Sequence, residues 1–167
     1  MSKLTALAVS IAILGGVWAY LALNPLASLA LVWVGFIAWG CFFHTGGDSA
    51  ALQKTIAGMS YGAVIAGIAL YLVSSGLLGA LGVLAAPVII AVTVFFLVIV
   101  GGINLLSVVP ANVYGYAATA GLALTANTAG NVAATNFTNP VLLVIVSVIL
   151  GALFGLASGK LAGALSK

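Results

Sequence analysis

The three side chains best suited to nucleophilic or acid-base chemistry, Cys41, His44 and Asp48, fall in one short stretch of the sequence. They are the only cysteine, histidine and acidic residue in the chain. Catalysis needs such groups held together, and His44 with Asp48 is the one pair that this stretch offers. A structural role is favoured, with His44 at a membrane interface and Asp48 capping the helix that follows. Metal binding needs three or four ligands, which this sequence does not supply. We therefore predict that the protein binds no metal and no cofactor and is not an enzyme.

Neutral polar and aromatic residues inside uncharged segments indicate a different role, the permeation of an uncharged solute. Such a path needs aromatic walls and a few hydrogen-bonding groups, but no titratable side chain. The candidate lining residues are Trp18, Trp33, Phe36, Trp39, Ser60, Tyr61, Asn104, Asn112, Tyr114, Tyr116 and Thr119. Asn104 and Asn112 stand out because a buried amide is costly unless bonded, although both could instead bond helix ends around Pro110. The rings could instead form an interfacial belt or pack against glycines, and Trp39 is the one favoured as a lining residue.

The composition places these residues in a membrane. The chain of 167 residues is 65% apolar, with a mean hydropathy of +1.39, and its charged residues are four lysines and one aspartate. A soluble surface needs roughly a quarter to a third of its positions charged, which this inventory cannot supply. The net charge of +3 comes from lysines at or beyond helix ends, so we interpret it as a signal of orientation and expect no nucleic-acid partner.

The predicted fold class is an all-α polytopic membrane protein, a six-helix transmembrane bundle in one domain that covers residues 1–167. Eighteen apolar residues of helix cross about 27 Å, which is close to the hydrocarbon thickness of a bilayer. Spans are expected at residues 4–23, 26–43, 53–73, 83–106, 108–126 and 140–159.

The segment 107–126 is weakly apolar, so it suits either a span or a re-entrant loop. The lysines decide between the two, because the positive-inside rule asks for Lys3, Lys54, Lys160 and Lys167 in the cytoplasm. Six spans satisfy this rule, whereas five would leave the last two lysines outside. We therefore count 107–126 as a span and predict that the amino and carboxyl termini are both cytoplasmic.

Two helix faces carry small residues four positions apart. Small residues let backbones approach closely, and this contact drives helix association in lipid, where apolar burial does not. We interpret both faces as packing surfaces. They are Gly58, Gly62 and Ala66 in the third span and Gly151, Gly155 and Gly159 in the sixth.

Glycine pairs precede two prolines at similar distances, Gly15-Gly16 before Pro25 and Gly101-Gly102 before Pro110. Two halves of three helices can be aligned on this pattern. Because three is odd, such halves would cross the membrane in opposite directions, as in proteins whose solute sites lie near the midplane between repeats. Chance recurrence in a chain with 21 glycines is the alternative.

Several of these motifs resemble a known family. Gly15-Gly16-Val17-Trp18, the run from Trp33 to Gly47, and Leu105 to Pro110 followed by Gly115 and Ala117–Gly121 look like the bacterial inner-membrane family filed as domain of unknown function 1097. The resemblance covers nearly the whole chain. It implies an inner-membrane location and a compact helical bundle, and it implies no substrate and no functional residue.

The function predicted from these observations is a passive channel or facilitator for a small neutral polar solute such as urea, a short amide or ammonia. The alternative is a structural or assembly subunit whose small-residue faces hold partner helices. Membrane lipids and the solute are the expected partners. A bundle of 16.5 kDa has little room for a path within one protomer, so we also expect a homo-oligomer.

Overall fold

The structure is a computed structural model that describes residues 1–166, and all the regular structure in this range is helical. Lys167, one of the four lysines used to predict orientation, lies outside the described residues. Short 3-10 turns connect several of the helices. The six α-helices are α1 (Lys3–Leu23), α2 (Val32–His44), α3 (Ser49–Ser74), α4 (Ala85–Ile99), α5 (Val109–Thr125) and α6 (Pro140–Leu165). The predicted all-α class is confirmed for this part of the chain.

Four helical segments are long and apolar enough to cross a membrane. They are Lys3–Leu23, Ser49–Ser74, Gly79–Gly102 and Pro140–Leu165, the third of which is α4 with the turns at its two ends. The two remaining helices are shorter, because α2 has 13 residues and α5 has 17. At 1.5 Å per residue they extend about 20 and 26 Å, less than the ~30 Å of a bilayer core.

The second helix begins at Val32, six residues later than the span predicted from Leu26. Turns follow Pro25, and Leu31 is extended, with φ −109° and ψ 119°. The backbone N–H of Leu31 donates to the hydroxyl of Ser147 at 2.8 Å. A side chain far away in sequence therefore satisfies the amide at this break, and the apolar pattern around Leu26 carries no sign of it.

The fourth helix is interrupted in a similar way. It begins at Ala85 after a 3-10 turn in which Gly82 has φ +54°, and it ends at Ile99 instead of continuing to residue 106. Two further 3-10 turns, Val100–Gly102 and Asn104–Leu106, lead to α5. The break leaves backbone carbonyls without helical hydrogen-bond partners, and a buried side-chain amide on α5 donates hydrogen bonds to them.

The helices pack as two compact units. The first contains Met1–Ile56 and the residues from Val146 onward, which we call the α1–α2–α6 unit. The second contains Ala57–Ile145, which we call the α3–α4–α5 unit. Most of the third helix of each half of the sequence is thus grouped with the first two helices of the other half.

Glycine-mediated backbone contact holds a short helix against a long one in the α1–α2–α6 unit. Gly35 of α2 lies against the indole of Trp18, and a Cβ at Gly151 of α6 would overlap the Gly35 backbone. A Cβ at Gly155 would lie 2.9 Å from the Phe42 ring. These approaches are closer than any larger residue would permit.

Glycines also allow close backbone contact between helices in the α3–α4–α5 unit. A Cβ at Gly115 of α5 would overlap the backbone of Met59 in α3, and one at Gly62 would overlap the backbone of Asn112. Gly58 also faces α5, where a Cβ would lie 2.9 Å from that of Ala111. Two residues of the small-residue face on α3, Gly58 and Gly62, thus lie against α5.

Replacing Ser147 by alanine should destabilise the protein by about 1–3 kcal/mol, because the partly buried Leu31 amide loses its hydrogen bond to the buried Ser147 hydroxyl. The midpoint of unfolding in a dodecyl sulfate titration measures this loss. Ser75→Ala is the matched control, since its exposed hydroxyl bonds the Leu72 carbonyl, where water can replace it. Equal midpoints for the two variants would contradict the assignment.

Candidate functional site

Two of the predicted lining residues, Trp18 and Trp39, form the aromatic core of the α1–α2–α6 unit. Both are buried and pack against Phe154, with ring centroids 5.5 and 5.9 Å away. Their indole N–H groups are paired, since Trp18 donates to the Val32 carbonyl and Trp39 to the Ser158 hydroxyl, each at 3.0 Å. These contacts account for both rings as packing and hydrogen-bonding groups within the unit.

Four other candidates are exposed to different degrees. Trp33 and Phe36 of α2 are 43% and 42% exposed, and the Phe36 ring stacks on Trp39 at a centroid distance of 5.7 Å. Asn104 is exposed in the turn before α5, and Tyr114 is 37% exposed on α5. None of these four lines the cavity described below.

Asn112 lies at the break between α4 and α5. Its Nδ2 donates to the carbonyls of Leu97 at 3.1 Å and Leu106 at 3.2 Å, so both amide hydrogens are used. Its Oδ1 is buried without a hydrogen-bond partner and faces Gly58, where a Cβ would lie 2.7 Å away. Asn112 therefore satisfies the helix end beside Pro110, which is the structural role that the sequence left open.

A cavity of about 150 Å³ lies among α3, α4 and α5 of the α3–α4–α5 unit. Its walls are almost wholly apolar, and Tyr116 is the one lining residue with a polar side chain. The lining residues are Ala66, Ala69, Leu70 and Val73 of α3, Ala86 and Ile90 of α4, and Tyr116, Ala120 and Leu124 of α5. Apolar walls with few polar groups are typical of pockets that bind small molecules, and this cavity is smaller than the ~300–1,000 Å³ of most such pockets.

The Tyr116 hydroxyl is paired with that of Thr93, a buried residue of α4. The two oxygens are 3.1 Å apart, and Thr93 Oγ1 also lies 2.9 Å from the Ile89 carbonyl and 3.1 Å from that of Ile90. A threonine hydroxyl has one hydrogen, which in one arrangement bonds a carbonyl of the preceding turn. Tyr116 then donates to Thr93, and its own oxygen keeps a free lone pair.

Thr119 is fully buried one turn from Tyr116 on α5, and its hydroxyl oxygen has no hydrogen-bond partner. It does not line the cavity. The structure thus places Asn112, Tyr116 and Thr119 on one helix of one unit, whereas Trp18 and Trp39 belong to the other unit. Of the predicted lining residues, Tyr116 is the one at the cavity.

The sequence did not predict a role for Thr93. The only available signal is that Thr93 is the sole polar residue of α4, whose other fourteen residues are apolar. A lone hydroxyl in an apolar helix commonly bonds the carbonyl four residues earlier, so its presence alone predicts no site. Its role here comes from the tyrosine that α5 brings within reach.

Asp48 and Cys41, two of the residues suited to acid-base or nucleophilic chemistry, have structural contacts. Asp48 Oδ1 accepts from the Ala51 N–H at 2.7 Å and so caps α3, as predicted. The Cys41 thiol is buried beside the Thr55 hydroxyl, with sulfur and oxygen 3.7 Å apart. Among residues 1–166, no three His, Cys, Asp or Glu side chains are grouped closely enough to hold a metal ion.

Comparison with known proteins identifies a family without assigning an activity. No curated protein and no solved structure matches the chain. A family described as a protein of unknown function (DUF1097) matches residues 8–163, nearly the whole sequence. This extent agrees with the resemblance seen in the glycine, aromatic and proline motifs, and the chain belongs to the DUF1097 family.

Proposed function

We propose that the protein is a passive facilitator that carries a small neutral polar solute, of the urea, short amide or ammonia type, across the bacterial inner membrane. The observation that carries this proposal is the Tyr116 cavity, a small, partly open space whose walls are almost wholly apolar and whose one polar lining residue is Tyr116. An uncharged solute can occupy such a space, whereas a bare ion would lose its hydration without gaining a partner.

The orientation proposed has both termini in the cytoplasm. In the α1–α2–α6 unit, Lys3, the Gly46-Gly47 loop and the end of α6 line one open depression. The Met1 amino group lies 3.4 Å from the Leu165 carbonyl, so the first and last helices begin and end together. Lys54 and Lys160 belong to the same unit. The positive-inside rule then favours the cytoplasm for this end.

The membrane topology proposed has six crossings, in two inverted halves of three helices. In each half a long apolar segment leads through a break in the α-helix into a short helix, α2 or α5, and then into a helix of 26 residues, α3 or α6. Short or interrupted apolar segments at matching positions of two halves are a recognised pointer to solute sites in membrane transporters. Tyr116 lies on the second of these short helices.

The alternative function, an assembly subunit, draws less support from the helix faces. Gly58 and Gly62 pack on α5, and Gly151 and Gly155 pack on α2, so these glycines already have partners within the chain. The homo-oligomer predicted from the small size of the chain is kept as part of this proposal. Cross-linking in native membranes would test it.

Substituting Ala120 by leucine should fill the cavity and lower solute permeability by about tenfold, equivalent to roughly 1.4 kcal/mol in the barrier. The measurement is stopped-flow light scattering on proteoliposomes, with urea and acetamide as the solutes. Ala117→Leu is the matched control, because Ala117 is exposed on the same helix and does not line the cavity. Far-UV circular dichroism and size-exclusion chromatography establish that both variants are folded.

The facilitator proposal fails if the unaltered protein conducts neither solute faster than empty vesicles do. It also fails if Ala120→Leu and Ala117→Leu conduct equally.

A further inference from the structure

The walls of the cavity restrict which neutral solute it can accept, and this inference rests on the proposed function. We propose that the cavity selects short alkyl amides, with one polar end and one apolar end, over urea. The polar end contacts the Tyr116 hydroxyl, and the alkyl end contacts Leu70, Ile90 and Leu124. The small number of hydrogen-bonding groups in the cavity sets this preference.

The Tyr116 hydroxyl can act either as a hydrogen-bond donor or as an acceptor toward a solute. Thr93 has two alternative acceptors for its single hydrogen, the Ile89 carbonyl and the Tyr116 oxygen. With the hydrogen on the carbonyl, Tyr116 donates to Thr93 and accepts from the solute. With the hydrogen directed to Tyr116, the tyrosine donates to the solute. The pair thus meets either the N–H or the C=O of an amide, one at a time.

Urea has polar groups on all sides and would leave several of them against aliphatic walls. Each unpaired polar group in an apolar environment costs free energy, so urea binds less well than a solute whose far end is apolar. The volume of about 150 Å³ holds roughly five water-sized groups, which suits acetamide or propionamide. Apolar burial of the alkyl end adds to the preference.

The test compares propionamide with urea on the same proteoliposomes, each corrected for empty vesicles. We expect the protein-dependent permeability to be at least about tenfold higher for propionamide, from the cost of leaving one or more polar groups of urea unpaired. Tyr116→Phe should lower the propionamide value severalfold. Tyr20→Phe is the control, because Tyr20 is an exposed tyrosine of α1 in the other unit.

Binding is measured separately by saturation-transfer difference NMR on the methyl signal of propionamide, with the protein in nanodiscs. Tyr116→Phe should weaken this signal and Tyr20→Phe should preserve it. If Tyr116→Phe does not fold, the comparison of propionamide with urea on the unaltered protein decides alone.

Urea permeating as fast as propionamide would overturn the inference while leaving the facilitator intact. A propionamide signal that Tyr116→Phe does not change would overturn it as well. Binding that depends on Tyr116, without permeation by any solute, would instead support the site and refute the facilitator. The two proposals are therefore separable.

Discussion

Replacing Gly115 by alanine is expected to prevent the α3–α4–α5 unit from packing, with a loss of stability above about 3 kcal/mol. The added methyl group would overlap the Met59 backbone, whose carbonyl carbon and Cα lie 2.6 and 2.7 Å from the Cβ position. A backbone cannot rotate away as a side chain does, so α3 and α5 must separate. The expected result is aggregation or an early midpoint in a dodecyl sulfate titration.

Gly121→Ala supplies the control on the same helix. Nothing lies within 4 Å of a Cβ at Gly121, so the substitution adds no clash. Alanine is the better helix former by up to about 1 kcal/mol, and the variant should be as stable as the parent protein or slightly more stable. Similar losses in Gly115→Ala and Gly121→Ala would refute the close α3–α5 contact.

Asn112→Asp should cost about 3–5 kcal/mol, although the two side chains have nearly the same shape. Asn112 is fully buried, and its amide hydrogens bond the Leu97 and Leu106 carbonyls. A carboxylate donates nothing, places negative charge beside two carbonyl oxygens, and has no partner in the interior. The end of α4 and the start of α5 should separate first.

Hydrogen–deuterium exchange locates this effect, because faster exchange is expected around residues 97–112 before global unfolding. Asn131→Asp is the control, since Asn131 is exposed in the loop between α5 and α6. A carboxylate there remains solvated and should leave the midpoint unchanged. If exchange around residues 97–112 is the same in both variants, Asn112 does not hold the break.

Helices with a sequence signal at their ends could be predicted well. The predicted span 108–126 corresponds to α5 at Val109–Thr125, where Pro110 marks the first turn. Pro140 likewise marks the start of α6. In both cases the signal is local, because proline fixes its own φ and lacks an amide hydrogen.

The breaks and the cavity could not be predicted, because distant side chains determine them. Leu26 to Leu31 read as apolar helix, but the Leu31 amide bonds Ser147, which lies 116 positions away. The role of Tyr116 depends on Thr93, 23 positions earlier, and on where α3 and α4 lie around it. Hydropathy and residue spacing describe one segment at a time, so they cannot predict contacts between residues that are far apart in the sequence.

The grouping of the helices also sets an order for biogenesis. Every residue from Ala57 to Ile145 has been synthesised before Val146, the first residue of the later segment of the other unit, is made. At translation rates, the roughly 90 residues between Ile56 and Val146 take about 5–20 s. Through that interval α1 and α2 lack the helix that completes their unit, and the Leu31 amide lacks the Ser147 hydroxyl that accepts its hydrogen bond.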